Sequence, residues 1–296
     1  APTAAQAGIY TSHCLSLACT TADTSVAASD EFALRHQIEG LNTVSFGFGQ
    51  AGTRYVTLSF WVKGTKTGIH CVSIRNGDAS RSYVAEYTIA STNTWEYQTI
   101  TIAVDTTGTW LYTNGIGLYL SFALIAGTNL HASADTWTAG NYIATSNQVN
   151  ALDSTSNIFK VALVQLEAGS VATTFDARSV GTELALCQRY FEKVAYELAA
   201  QDLMSFFTAT TGNGLGIYQF KVTKRALPTN AYSALSDFIC YGNTYGSNTP
   251  NGLAMVSSTR DVAINPTIAA TNFLAQGASL LRLNGSGGFL TFSAEL

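Results

Sequence analysis

Nineteen carboxylates, four histidines and five cysteines are the groups in this chain that could do acid–base or covalent chemistry, and their spacing offers little of either. Glycoside hydrolysis commonly uses two carboxylates about 5–10 Å apart, one of them with a raised pKa. The acids close in sequence are Asp30 with Glu31 and Glu192 with Glu197. The first pair falls in a polar segment and the second on a predicted helix, so both read as solvated surface. No G-x-S-x-G elbow presents a serine nucleophile. His13, His36, His70 and His131 stand apart from any obvious acid partner, and each reads as a core or rim residue. Cys14 and Cys19 beside His13 would make half a zinc site, but no second Cys/His pair follows at ligand spacing. The five cysteines, completed by Cys71, Cys187 and Cys240, are odd in number and far apart. That reads as buried thiols of a reducing compartment, not as a disulfide framework. The glycine-rich NGSGG at 284–288 precedes a predicted strand with no helix after it, so it cannot cradle phosphate and reads as a hairpin turn. The expectation is a chain with no catalytic residue, no cofactor and no metal.

Recognition by surface remains. A sugar presents apolar C–H faces and hydroxyl edges, so its site needs an exposed aromatic platform with Asn, Asp or Gln beside it. Three groups have that make-up: Trp110, Tyr112 and Asn114 at a turn; Trp137, Asn141 and Tyr142; and Tyr241, Asn243, Tyr245 and Asn248 in the Gly/Asn-rich stretch YGNTYGSNTPNG. The competing reading is that these aromatics close the ends of a β-core.

The elements that must position them are strands. Val56, Leu58, Phe60 and Val62 alternate with Thr57, Ser59, Trp61 and Lys63, the pattern of a half-buried strand. The same signature recurs in RSYVAEYTI, WEYQTITIAV, GIGLYLSFALI, NYIATS and FKVALVQLEAG, separated by the turn clusters RNGDAS, ASTNT, DTTGT, TNG and LDSTSN. Many short strands with such turns indicate an antiparallel sandwich or jelly roll over 41–179. Residues 1–40, rich in Ala, Ser and Thr with a polar close at EFALRHQIEG, read as the entry to the first domain and an attachment segment. Near residue 180 the period shifts: Leu184, Cys187, Phe191, Val194 and Leu198 step by three and four, one stripe on a helix spanning 180–200. The stripe fits either a short parallel coiled coil or an amphipathic helix packed on its own domain. From 201 to 296 β character returns in LMSFFTA, GIYQFKVTK and GGFLTFSAEL. The fold class is therefore all-β: a jelly roll or β-sandwich, a short helix, and a second, smaller β-domain.

Composition bounds the partners. Only 11% of residues are charged and the net charge is −4, whereas soluble domains usually carry about 25% charged residues. Fifteen scattered Lys and Arg cannot make the basic footprint of a nucleic-acid binder. The most apolar run, Leu118 to Ala126, is half the roughly 20 residues a spanning helix needs, so no membrane insertion is expected. The start, APTAAQAG, has no basic region ahead of an apolar one, and no signal peptide is read there.

The series RSYVAEYTI, NTWEYQTITI, DTTGTW, IGLYLSF and VQLEAGSVATTFDARSVGTELALCQRYFEK, with the later FKVTKRALPT and FSAEL, resembles a module near the C-termini of tailed-bacteriophage tail fibres and related virion proteins. The resemblance covers roughly residues 35–296. It implies a jelly roll similar to carbohydrate-binding modules, a distal β-domain, a place in the virion after assembly in the host cytoplasm, and a homotrimer. It also implies contact with other virion proteins through the N-terminal segment and with a host-surface polysaccharide. The 296-residue length departs from the family, since a full tail fibre carries a long virion-anchoring region. A trimer also accounts for the low charge, because each subunit would hide a face from water. On this reading Leu184, Cys187, Phe191, Val194 and Leu198 line the trimer axis.

Overall fold

The protein, seen in a computed structural model, is described at all residues except 10, 197–200, 209, 211–212, 243–245, 255–258, 261–266, 270–276 and 285–286. It divides into two units, Ala1–Ala177 and Arg178–Glu295. The strands of the first are β1 (Leu15–Ala18), β2 (Glu31–Glu39), β3 (Tyr55–Gly64), β4 (Gly68–Asn76), β5 (Arg81–Ile89), β6 (Glu96–Ala103), β7 (Ile116–Ala126), β8 (Trp137–Ala139) and β9 (Ile158–Ala168). They form two antiparallel sheets, ordered β1-β9-β3-β6 and β2-β7-β4-β5-β8. Alternation decides which faces meet: Val56, Leu58, Phe60 and Val62 all turn inward from β3 and are shut from solvent. They meet Val72 and Ile74 of β4, Ala85, Tyr87 and Ile89 of β5, and Leu118, Leu120, Phe122 and Leu124 of β7 in one core. Phe60 sits between the sheets, 5.1 Å from the Tyr87 ring and 5.0 Å from that of Phe122, edge-on to both. This unit is a β-sandwich.

Residues 1–40 do not stand apart from the sandwich; they belong to the first unit. β1 pairs with β9, and β2 pairs with β7 along its length. EFALRHQIE reads as polar because β2 is an edge strand. Its outward positions carry Glu31, Arg35 and Gln37, while Leu34 and Ile38 face the core. NYIATS is no strand either; it is irregular chain lying over the sheet, as described below.

His70 is the core histidine that the sequence anticipates. Its ring lies 5.8 Å from Tyr87 and 6.3 Å from Phe159, and its Nε2 is 3.0 Å from the Lys66 carbonyl. Burial lowers its pKa below 6.5, and burial does the same at His36. A histidine whose folded pKa is depressed contributes stability that is complete above the unfolded pKa of 6.5 and is lost as pH falls below it. The carboxylates Asp105, Asp153 and Glu167, which are held below their usual range, act only at lower pH. The melting temperature read by tryptophan fluorescence should therefore drop between pH 7.5 and 5.5. All four tryptophans lie in this unit. In His70→Phe the drop should shrink; an equal drop would assign it elsewhere.

The second unit starts with a helix, Val180–Gln188, capped by Ser179, whose Oγ accepts from Thr182 N at 3.3 Å. Its strands are β10 (Phe191–Ala195), β11 (Gln201–Thr208), β12 (Asn213–Gly216), β13 (Thr229–Tyr232), β14 (Phe238–Gly242), β15 (Gly246–Asn248), β16 (Gly252–Ala254), β17 (Thr267–Ala269), β18 (Gly277–Leu283) and β19 (Phe289–Ser293). One sheet runs β15-β14-β18-β11-β12-β17-β16 and the other β10-β19-β13. Their core holds Met204, Phe206, Tyr218, Phe220, Phe238, Leu281, Leu290 and Phe292. Residues 285–286 of NGSGG, read as a hairpin turn, lie outside the described residues; the β18 and β19 on either side of it belong to different sheets and do not pair.

The predicted 180–200 helix is corrected, and with it the axial stripe. The helix stops at Gln188, and Phe191–Ala195 pairs with β19 instead. Residues three apart on a strand face opposite ways, so Val194 is buried while Phe191 is 40% exposed. Leu184 and Cys187 are exposed on the helix, and Leu198 lies outside the described residues. The strand wins because pairing with β19 satisfies its backbone and buries Val194, and it sets Glu192 against a cation. Glu192 Oε2 is 2.6 Å from Lys224 Nζ, both side chains fully buried, and Glu192 Oε1 accepts from Tyr218 OH at 2.7 Å. Glu192 is thus no surface acid; Glu197 lies outside the described residues. Lys224→Met strands a buried carboxylate and should cost about 3–5 kcal/mol, most of it regained in the double variant with Glu192→Leu. Urea unfolding followed by circular dichroism, in the transition that tryptophan fluorescence does not see, would measure both.

Candidate functional site

Strand alternation fixes what the outer face of the five-stranded sheet carries. β5 turns Ser82, Val84 and Glu86 outward, β4 turns Cys71, Ser73 and Arg75, and β7 turns Tyr119, Ser121 and Ala123. The chain between β7 and β9 lies across this face. Ile143 and Ala144 pack on Cys71, Val84 and Ala123 in a small apolar seam. Within it, burial pushes the pKa of the Cys71 thiol up, against the hydrogen bonds from Thr145, which pull it down. Gln148 completes the attachment. Its Oε1 accepts from Cys71 N at 2.5 Å, and its Nε2 donates to Ala123 O at 3.2 Å and Val149 O at 2.9 Å. The side-chain amide thus takes the place of a strand where β4 and β7 part. Gly140, at φ 125°, delivers the segment: a Cβ there would lie 2.7 Å from the Tyr142 ring. Tyr142 N then donates to Ser82 Oγ at 3.0 Å.

Between this segment and the β5–β8 edge lies an open groove of about 680 Å³, lined by Glu86, His131, Thr138, Tyr142, Thr145 and Asn147 among others. Glu86 Oε1 accepts from Asn147 Nδ2 at 3.0 Å and also from Thr145 Oγ1. Its carboxylate is the one among these lining residues, and it is already a hydrogen-bond acceptor. A smaller hollow of about 220 Å³ lies across His131, reaching Gln148 and Asn150. Hydroxyls, amides and one tyrosine around a shallow groove suit a ligand with many hydroxyls.

The structure brings Trp110 and Trp137 together, but not as a platform. Trp110 stacks on Phe48 with ring centroids 4.2 Å apart and meets Trp137 edge-on at 5.6 Å. Both indole N–H groups donate to backbone carbonyls, of Thr107 at 2.8 Å and Ala103 at 2.7 Å. They close the end of the core, the competing reading stated above. Tyr112 OH donates to the Phe48 carbonyl, and Asn114 is exposed. Asn141 accepts from Arg75, and Tyr142 alone of the two tryptophan-centred groups lines the groove. Tyr241 lies under the Arg282 guanidinium, 4.9 Å from its ring centroid; Asn243 and Tyr245 lie outside the described residues. Sequence reading missed Glu86, His131, Thr138, Thr145 and Asn147 as groove residues; the one signal, for Thr145 and Asn147, is the polar run TSNQVN after an apolar Ile143 and Ala144.

Of the five cysteines, all unbridged, Cys19, Cys71 and Cys240 are buried while Cys187 is exposed, so the expectation of uniformly buried thiols is corrected. Among the described residues no group of three His, Cys, Asp or Glu could hold a metal ion. Comparison of the chain with known protein families and with curated proteins finds no match.

Gln148→Leu leaves Cys71 N and Ala123 O without their partner and should cost about 1–3 kcal/mol. The tryptophan-detected urea midpoint measures this, and an unchanged midpoint would show that the amide is not holding the segment down.

Proposed function

We propose that this chain is a non-enzymatic fibre component of a phage virion that grips a host-surface glycan and works as a homotrimer. The observation that carries the grip is the open groove beside Tyr142, walled by hydroxyl and amide side chains. The virion setting rests on the resemblance of the sequence to tail-fibre modules. A hydrolase would need a second carboxylate facing Glu86, and the groove offers threonine, serine and asparagine in that place. Weak single sites, repeated on three subunits, would hold a virion by avidity.

The trimer is supported by the low charge and by apolar side chains left open in the second unit. Val180 and Leu184 project from the helix, and Phe207 and Leu215 sit opposite one another on β11 and β12, each about half exposed. A purely structural virion role, as head fibre or capsid decoration, is the second reading, and the inward commitment of Trp110 and Trp137 favours it.

Soluble polysaccharide from the host surface should bind the full chain, and Tyr142→Ala with Asn147→Ala should weaken binding at least tenfold without moving the tryptophan melt. Binding to capsid alone would move the protein to the structural reading, and release of reducing ends would make it an enzyme. Light scattering should return three times 31.4 kDa; a folded monomer at micromolar concentration ends the trimer.

A further inference from the structure

On the same outer face, beyond Asn141, Arg75 is buried to 2% exposure. In a chain with so few charges this is an unusual place for one, because a buried cation costs several kcal/mol unless an anion compensates it. None does. Among the described residues no carboxylate lies within ion-pair distance of Arg75. Its Nη1 donates to the neutral Asn141 Oδ1, and its Nε has no hydrogen-bond partner. Of the charged neighbours, Arg35 opposes the Arg75 charge and Glu31 offsets it in part. Arg35 and Arg75 both approach Tyr119, at 5.5 and 5.2 Å from its ring centroid, and this cation–π contact is an attraction Arg75 has besides its bond to Asn141. The nearby acid, Glu31, is already paired with Arg35. Burial first, and then the like charge of Arg35, pull the Arg75 guanidinium down to about 10, so it remains a cation at neutral pH.

Two more groups point the same way. Ser73 precedes Arg75 by two on β4, and Ser121 follows Tyr119 by two on β7. The register sets Ser73 opposite Ser121 and Arg75 opposite Tyr119. Cross-strand neighbours of this kind stand about 5 Å apart. Both serine hydroxyls are buried with no hydrogen-bond partner among the described residues. A guanidinium with an idle N–H and two idle hydroxyls therefore occupy one square of the sheet. Asn141 and Arg35, both open to solvent, stand at its margin.

We infer that this square is an anion subsite that takes the carboxylate of an acidic sugar, with Arg75 as the charged donor and Ser73 and Ser121 as hydroxyl donors. The inference rests on the glycan-binding reading and narrows it to carboxylated polysaccharides. Asn141, which bonds Arg75, is the sequence neighbour of Tyr142 in the groove; Ser73, Arg75 and Ser121 are themselves shut from solvent, so a carboxylate reaches them only when the side chains over them move aside. A buried charge kept without a counter-ion destabilises the free protein and is compensated only when the ligand arrives, the usual exchange of stability for function.

The full chain should be titrated with polygalacturonate and alginate, with the neutral dextran and mannan, and with dextran sulfate. Tighter binding of the carboxylated polymers, weakened by salt and at least tenfold by Arg75→Met, is the expected result. Arg75→Met should leave the tryptophan-detected melting temperature unchanged or higher, since it removes an uncompensated charge. Three results would overturn the inference: neutral and carboxylated polymers bound alike, binding of dextran sulfate alone, or a lowered melting temperature in Arg75→Met with binding unaltered. The first of these leaves the glycan reading standing. Binding of none of the polymers removes both.

Discussion

The chain between β7 and β9, largely irregular outside β8, is tied to the sandwich by a small apolar seam, the amide of Gln148 and a set of backbone bonds. Those bonds include Gly140 N to Ser80 O at 2.8 Å and Val149 N to Ile69 O at 2.9 Å, and the groove exists only while these ties last. Ile143 and Ala144 press on Cys71, Val84 and Ala123, and one amide, that of Gln148, serves the backbone of two strands at once. Apolar contact alone would let such a segment slide, because burial has no direction. The amide removes that freedom, since its donor and acceptor fit a single position. The groove side chains Tyr142, Thr145 and Asn147 inherit their place from this attachment, whereas Thr138 is set by the pairing of β8 with β5.

Scarcity of charge shapes the rest. With 11% charged residues, several of those present act as internal ties. Lys224 and Glu192 join in the second core. Arg81 reaches Asp105 at 2.5 Å; burial works against the carboxylate there, but the bonds from Arg81 and Thr107 prevail and keep Asp105 below the usual range. Arg75 breaks this rule. It is as buried as the paired groups and has an amide where they have a charge, which is why the outer face of the sheet reads as a place prepared for something not made of protein.

The aromatics obey packing before recognition. Trp110 and Trp137 have large apolar surfaces and one polar atom each, and both needs are met inside: ring against ring, and N–H on a backbone carbonyl. Both rings remain half-buried, with their N–H groups already taken. Tyr142 differs because its backbone is tied down while its ring borders the groove.

The sequence by itself determined the strands. Period-two alternation in β3 and β7 names the inward residues directly, because a strand has two faces and one of them must leave water. It also determined the all-β class and the separation into two β-rich parts. Where it failed, the deciding partner lay far along the chain. β2 hid among charged residues because an edge strand buries one side lightly. The stripe from Leu184 to Leu198 kept helical spacing, yet pairing with β19 and the cation at Lys224 turned its second half into a strand. Glu86 and Arg75 carried no local mark at all, and Gln148 only its place in a polar run. A carboxylate, an amide and a guanidinium acquire their roles from what faces them, and only the folded chain decides that.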